Sequence, residues 1–350
     1  MSQTKDNHFV PRFYLRNFTK DPTLENGWFD FYNLKGQKHL GEIPHGSQMQ
    51  ERYYYEKDSE IEKMLGEKFE GKHAALIRGL IDGSEEPNEE WLLEMMLLMH
   101  FRTRAQRDEN LAFRKHMIDT LLDNMVRSFK RYLQRDVPWL LSRIRDDQIK
   151  DIVRTGSYER YLRRTDTARK GVEHFLKIKE EVKGLRCVAL SNTTQSPLVS
   201  SDRPVILLNP FLARKDVSFG RTGLFQMGIV LILPINPSKI IVCYDSGIYE
   251  QINETSVLTT EDVANINRLE ILVGVEGIYS IILPNRILSA IPEICREKRD
   301  PQIVNVELPG DYLLTYKDYM LPTLALSFLR EKKGTDQISL RLPYQRATTS

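Results

Sequence analysis

"FQMGIVLILPINPSKIIVCYD" (residues 225–245) holds two short runs rich in Ile and Val on either side of Asn236-Pro237-Ser238. Branched apolar runs of that length around a Pro/Asn/Ser turn read as the two strands of a hairpin. The same character begins at residue 185 with "LRCVALSN" and continues through "PVILLN" (204–209) to "GIYSIILP" (277–284). Between them "TTEDVANINRLEILVG" (259–274) has helical spacing, with Thr260 as its expected cap and Glu261 and Asp262 in the first turn. "MLPTLALSFLREKKG" (320–334) reads as a late helix.

Upstream of residue 185 the period is helical. Asp58 or Ser59 can start a helix, with Glu62 completing a capping box after Ser59. Ile61, Leu65, Phe69, Leu76 and Leu80 then fall on one face. "WLLEMMLLMHF" (91–101) is apolar all round, which marks a central, buried helix; it emerges as "HFRTRAQR". Residues 111–133 carry the stripe Ile118, Leu122, Met125, Phe129 and Leu133, and residues 158–183 are helical again, closed by Gly184. The expected class is α+β: a mostly antiparallel sheet from the C-terminal half, packed against a largely helical middle. One domain over residues 1–350 is expected, with residues 105–183 an arginine-rich helical subdomain or insertion within it.

Two segments precede the helices. "GWFDFYNLKGQKHL" (27–40) alternates around Lys35-Gly36 as a small hairpin does. "NHFVPRFYLRNF" (7–18) surrounds His8 and Pro11 with aromatics and arginines. Proline pins its φ angle and donates no hydrogen bond. Pro11 is therefore expected to turn the chain so that Phe9, Phe13, Tyr14, Leu15 and Phe18 pack inward, with His8, Pro11, Tyr14 and Phe18 largely buried against the C-terminal sheet.

Net charge is only +2, but residues 101–170 hold 18 Lys+Arg against 10 Asp+Glu, and 14 of the 18 are arginine. Such asymmetry marks either solvated helix faces or a phosphate-binding surface. No apolar run reaches the length of a membrane span, and no signal peptide is visible at the N-terminus. Cys187, Cys243 and Cys295 have no CxxC spacing and read as reduced, buried thiols of a cytoplasmic protein.

"HFVPRFYLRNF" together with "SSDRPV" (200–205) and the strand end "LPINP" (233–237) resembles the bacterial family catalogued as domain of unknown function 4238. The matching positions are His8, Pro11, Tyr14, Leu15 and Phe18, then Ile61 and Glu62, Arg102 and Arg104, and Ser201, Asp202 and Pro204. The resemblance runs from residue 8 to about residue 285. It implies one domain and no established activity.

Walker A, GxGxxG, GxSxG, HExxH and zinc-finger spacings are all absent. Ser201 and Asp202 are adjacent on a strand and point to opposite faces, which argues against a Ser-His-Asp triad. Glu70 and His73 form one Glu-x-x-His pair; a di-iron bundle needs two, so surface scatter is the better account. The expected site is His8 as general base or metal ligand, Asp202 as metal ligand or orienter, and Arg102 as phosphate clamp. His8 and Asp202 are expected to share one pocket, with Arg102 nearby. The reading is a hydrolase acting on nucleic acid or a nucleotide, with the cofactor open and a divalent metal among the candidates. The arginine-rich helices of 101–170 would hold the polyanion. The alternative is a non-catalytic recognition module in which His8 and Asp202 form a structural pair. A structural partner of other proteins is the third.

Overall fold

The structure is a computed structural model that describes residues 6–55, 60–136, 145, 147–148, 164–179, 182, 184–215, 222–299, 302–308, 312–318, 321–322 and 324–335. The fold is α+β, and its strands pair mostly antiparallel.

The chain opens with strand β1 (Asp6–His8) and helix α1 (Arg12–Arg16), followed by β2 (Trp28–Asn33), β3 (Lys38–Pro44), a 3₁₀ turn (His45–Ser47) and β4 (Gln50–Arg52). The helices α2 (Glu60–Leu65), α3 (Gly71–Asp82), α4 (Glu89–Arg102), α5 (Arg104–Asp136) and α6 (Arg164–Ile178) come next. A π-helical turn, Gly66–Glu70, joins α2 to α3. The second half contains β5 (Leu185–Asn192), β6 (Ser200–Ser201), β7 (Ile206–Leu208), α7 (Pro210–Arg214), β8 (Val230–Asn236), β9 (Lys239–Asp245) and β10 (Val257–Leu258). It continues with α8 (Thr260–Val273), β11 (Gly277–Ser280), α9 (Asn285–Arg296) and the hairpin β12 (Gln302–Leu308) and β13 (Tyr312–Asp318).

The hairpin read at 225–245 is β8–β9, at the heart of a five-stranded sheet ordered β10-β5-β9-β8-β7. Leu231, Leu233, Ile241 and Cys243 have no exposed surface, so both apolar runs are core. Helix α4 packs on β5 and against α5 and α6. Leu92, Met95, Met96 and Leu97 are fully enclosed, as its all-round apolar sequence requires. Asn88 caps it by accepting from the Trp91 backbone N–H at 3.0 Å.

Several expectations need correction. The C-terminal half does not make a single sheet. The N-terminal hairpin β2–β3 joins β11 and β6 in a second sheet ordered β3-β2-β11-β6. The cap of α8 is Thr259, which with Asp262 forms a capping box, so Thr260 is already helical. Helix α6 ends at Ile178, short of Gly184, whose φ of 75° suits glycine. The expected caps Asp58 and Ser59 lie outside the described residues.

The described part of 320–334 contains no helix. Its backbone finds partners elsewhere: Ala325 O accepts from Asn265 at 2.8 Å, Ser327 N–H donates to Asp262 at 2.6 Å, and Arg330 O accepts from Glu250 N–H at 2.8 Å. Buried Leu326 anchors the segment. Tertiary partners here outweigh a helical pattern that holds Pro322.

Cys187 and Cys243 are not free thiols. They face each other across β5 and β9 and form a disulfide. Cys295 is unpaired and partly exposed. Among the described residues no helix is long and apolar enough to cross a membrane.

Candidate functional site

Pro11, with φ −59°, immediately precedes α1 and turns the chain inward. Phe9, Tyr14, Leu15 and Phe18 are completely buried, and Pro11 is buried with them. Phe18 and Phe29 each pack a ring against Tyr279 of β11, so the segment is anchored on the second sheet. His8 itself is half-buried, at the end of β1 opposite Gln50. It lines a cleft of about 490 Å³ together with Arg12, Gly46, Glu62, Glu70 and Arg102.

The imidazole Nε2 of His8 lies 3.1 Å from the Gly46 carbonyl oxygen. A carbonyl only accepts, so Nε2 carries the proton and Nδ1 the lone pair. Burial lowers the His8 pKa to about 4, and the Gly46 bond only partly opposes this. The positive charges of Arg12 and Arg102 push further in the same direction. His8 is therefore neutral at physiological pH and presents a bare nitrogen.

Arg102 does share the cleft, but in another role. It is 2% exposed, and its Nη1 donates to Glu70 Oε1 at 2.9 Å. Its Nη2 donates to the main-chain oxygen of His8 at 2.7 Å. Burial alone would weaken its charge, but Tyr55, Glu70 and Glu62 more than offset this and hold it protonated. A guanidinium already paired in this way is a structural tie, with its charge spent on Glu70. The preference for Arg102 over Arg104 as the inward-facing residue holds, since Arg104 turns to Glu51 and Glu276. Arg107 pairs with Glu51 and Asp108. The first three arginines of 101–170 are thus engaged by carboxylates and do not open a continuous basic face. Of the eleven arginines that follow, Arg143, Arg154, Arg160 and Arg163 lie outside the described residues.

Asp202 is not brought to His8. It is fully enclosed, and its Oδ1 accepts from the backbone N–H groups of Val275, Glu276 and Gly277 at 2.8, 2.7 and 3.3 Å. Burial raises its pKa, and the backbone bonds work against that rise. It closes the corner between α8 and β11. The expected His8/Asp202 pair, catalytic or structural, is therefore corrected: each group has backbone partners of its own. The two motif segments do meet, through Tyr14 and Ser200, whose hydroxyls are 2.8 Å apart.

Glu70 and His73 are not surface scatter. Glu70 holds Arg102, and buried His73 lies 3.2 Å from Glu94 Oε1. That bond, with Lys72 and Lys179, brings Glu94 down to about 2 against the effect of burial. Among the described residues no set of three His, Cys, Asp or Glu side chains is gathered as metal ligands.

Two cleft residues are not among the site residues expected from the sequence. Arg12 sits inside the quoted opening segment and reaches Asn26 Oδ1 at 3.3 Å. Glu62 accepts from Asn7 Nδ2 at 2.7 Å, and burial raises its pKa. The alternation Asn7-His8 along β1 is the signal for one of them, because Asn7 is turned inward toward Glu62.

A family model described as "Protein of unknown function (DUF4238)" matches residues 6–280. No curated protein and no solved structure matches the chain.

Proposed function

The chain belongs to the DUF4238 family of proteins of unknown function, and from the geometry of its cleft we propose that it is a hydrolase acting on a small phosphate-bearing substrate such as a nucleotide. The observation that carries this reading is His8, whose Nε2 is held by the Gly46 carbonyl so that Nδ1 keeps its lone pair, in the lining of a cleft of nucleotide size. His8 takes a proton from water as the water oxygen attacks phosphorus. Glu62, made a weaker acid by burial, returns a proton to the departing oxygen as the phosphorus–oxygen bond breaks. Burial thus shifts the two groups in opposite directions, His8 toward its unprotonated form and Glu62 toward its protonated form. Arg12 replaces Arg102 as the clamp, because its guanidinium is not spent on a carboxylate in the cleft.

The test is incubation of the purified protein with nucleotides, RNA and DNA, with and without Mg²⁺ or Mn²⁺. Release of phosphate or cleaved product by the wild type and its loss in His8→Ala is the expected result. No turnover of any substrate, or turnover that survives His8→Ala, overturns the reading.

A further inference from the structure

Helix α1 carries two arginines one turn apart, Arg12 and Arg16. Neither forms an ion pair among the described residues, and the Nε of each is buried without an acceptor. Arg102 Nε and Arg107 Nη2 also lack an acceptor, but Arg102, Arg104 and Arg107 each have a carboxylate within 3.1 Å, which Arg12 and Arg16 do not have among the described residues. The amide nitrogen of Asn17, the residue that ends α1, is likewise buried with no acceptor.

His45 lies on the 3₁₀ turn packed against α1 and has no exposed surface. Its Nδ1 is 2.8 Å from the Gly27 carbonyl, which also accepts the His45 backbone N–H at 3.1 Å. The proton is therefore on Nδ1, and Nε2 is a lone-pair acceptor. That Nε2 is buried and has no donor. Arg12 leans on the same turn: a methyl group at Gly46 would lie 3.3 Å from its Nη2. Burial lowers the proton affinity of His45, and the charges of Arg12 and Arg16 lower it further, so both guanidinia act on this ring. Buried polar atoms in folded proteins are almost always partnered. Here three donors and one acceptor around a single turn of helix all lack one.

We infer that Arg12, Arg16, Asn17 and His45 form a subsite for the phosphate group of a phosphate monoester, joined to the cleft at Arg12. The inference rests on the reading of the cleft as a phosphate-ester site. Two guanidinia match the double charge of a monoester dianion. Its second ionisation falls near pH 6, so a monoester near neutrality can still present a proton. Either the P–OH donates to His45 Nε2, or Nε2 takes that proton and the imidazolium faces the dianion. A diester has neither the second charge nor the proton. The ligand class is therefore a terminal phosphate, as in inorganic phosphate or a nucleoside monophosphate, and not the internal linkage of a nucleic acid.

Isothermal titration of the full chain with inorganic phosphate, phenyl phosphate, adenosine 5′-monophosphate and diphenyl phosphate tests this. The three ligands with a terminal phosphate should bind at least about tenfold tighter than diphenyl phosphate. Equal binding of inorganic and phenyl phosphate identifies the phosphate group as what is read; a further gain with the nucleotide identifies a nucleotide as its source. Arg16→Met should reduce monoester binding to the diester level. His45→Asn should do the same, because its amide can keep the bond to Gly27 while Nε2 is lost. Equal binding of monoester and diester, or Arg16→Met binding like wild type, overturns the subsite. Monoester binding with no turnover overturns the hydrolase reading alone. Diester turnover with no preference for monoesters overturns the subsite alone.

Discussion

The phenolic oxygen of Tyr14 lies 2.8 Å from Ser200 Oγ and 2.5 Å from the Pro234 carbonyl oxygen. Tyrosine has one hydroxyl proton, and the carbonyl can only accept, so Tyr14 donates to Pro234 and Ser200 donates to Tyr14. One buried hydroxyl thus fastens α1 to β6 and β8, strands of two different sheets.

Tyr14→Phe keeps the ring packing and leaves Ser200 and the Pro234 carbonyl without this partner. Removing it should cost about 1–3 kcal/mol. Urea unfolding measures the loss, and a midpoint equal to wild type would show that the bond contributes nothing net.

Asp202→Ala leaves the N–H groups of Val275, Glu276 and Gly277 without their shared acceptor. The folded state should lose at least about 1–3 kcal/mol. Ligand affinity in the cleft, measured well below the melting temperature, should stay at the wild-type value. Full stability with lost affinity would instead assign Asp202 to the chemistry.

Glu270 is completely enclosed, and burial raises its pKa well above the usual value, with Ser201 working against that rise. The folded state keeps this proton above pH ~4.3, where the unfolded chain releases it. Stability from this group is therefore greatest in acid and falls as pH rises, by about 1.4 kcal/mol per unit for one proton, until the folded group ionises. Asp202, also raised by burial, acts in the same direction. Denaturant unfolding across neutral pH should show Glu270→Gln more stable than wild type and less dependent on pH. A parallel decline in both proteins would mean that Glu270 is already ionised in the fold.

His8 loses its lone pair only as pH falls through about 4. The acid limb of kcat/KM should lie near that value, with no loss through the ordinary histidine range around pH ~6.5. Stability has the same sign: between ~6.5 and about 4 the unfolded chain binds the proton that folded His8 refuses, so acidification removes the contribution. A rate profile whose acid limb lies at ~6.5 would show that His8 titrates as an exposed imidazole.

Much of the architecture was legible in the sequence because it is local. The hairpin at 225–245, the all-apolar α4 and the anchored aromatics after Pro11 each carry their period or punctuation within a few residues. What failed depends on partners far along the chain. The segment 320–334 has a helical pattern, but Asp262, Asn265 and Glu250 supply its bonds from elsewhere. The pairing of Cys187 with Cys243 follows from the register of β5 on β9, which no spacing reveals. His8 and Asp202 belong to two motif segments that do meet, and which residues make the junction depends on where α1 sits after Pro11. That geometry selects Tyr14 and Ser200. Of the site, His8 and the inward turn of Arg102 were legible; the consumption of Arg102 by Glu70 was not, because it depends on the packing of α4 against the π turn.

The Cys187–Cys243 bond spans 56 positions and closes everything between them into a covalent ring. Ser200 and Pro234, the two partners of Tyr14, are both links of that ring. A single peptide-bond cut between them would not release a fragment, since the sulfur bridge holds both arms and Tyr14 clasps each of them from outside. Such a nicked chain would migrate as one piece on a denaturing gel until a reductant is added, and only then as two.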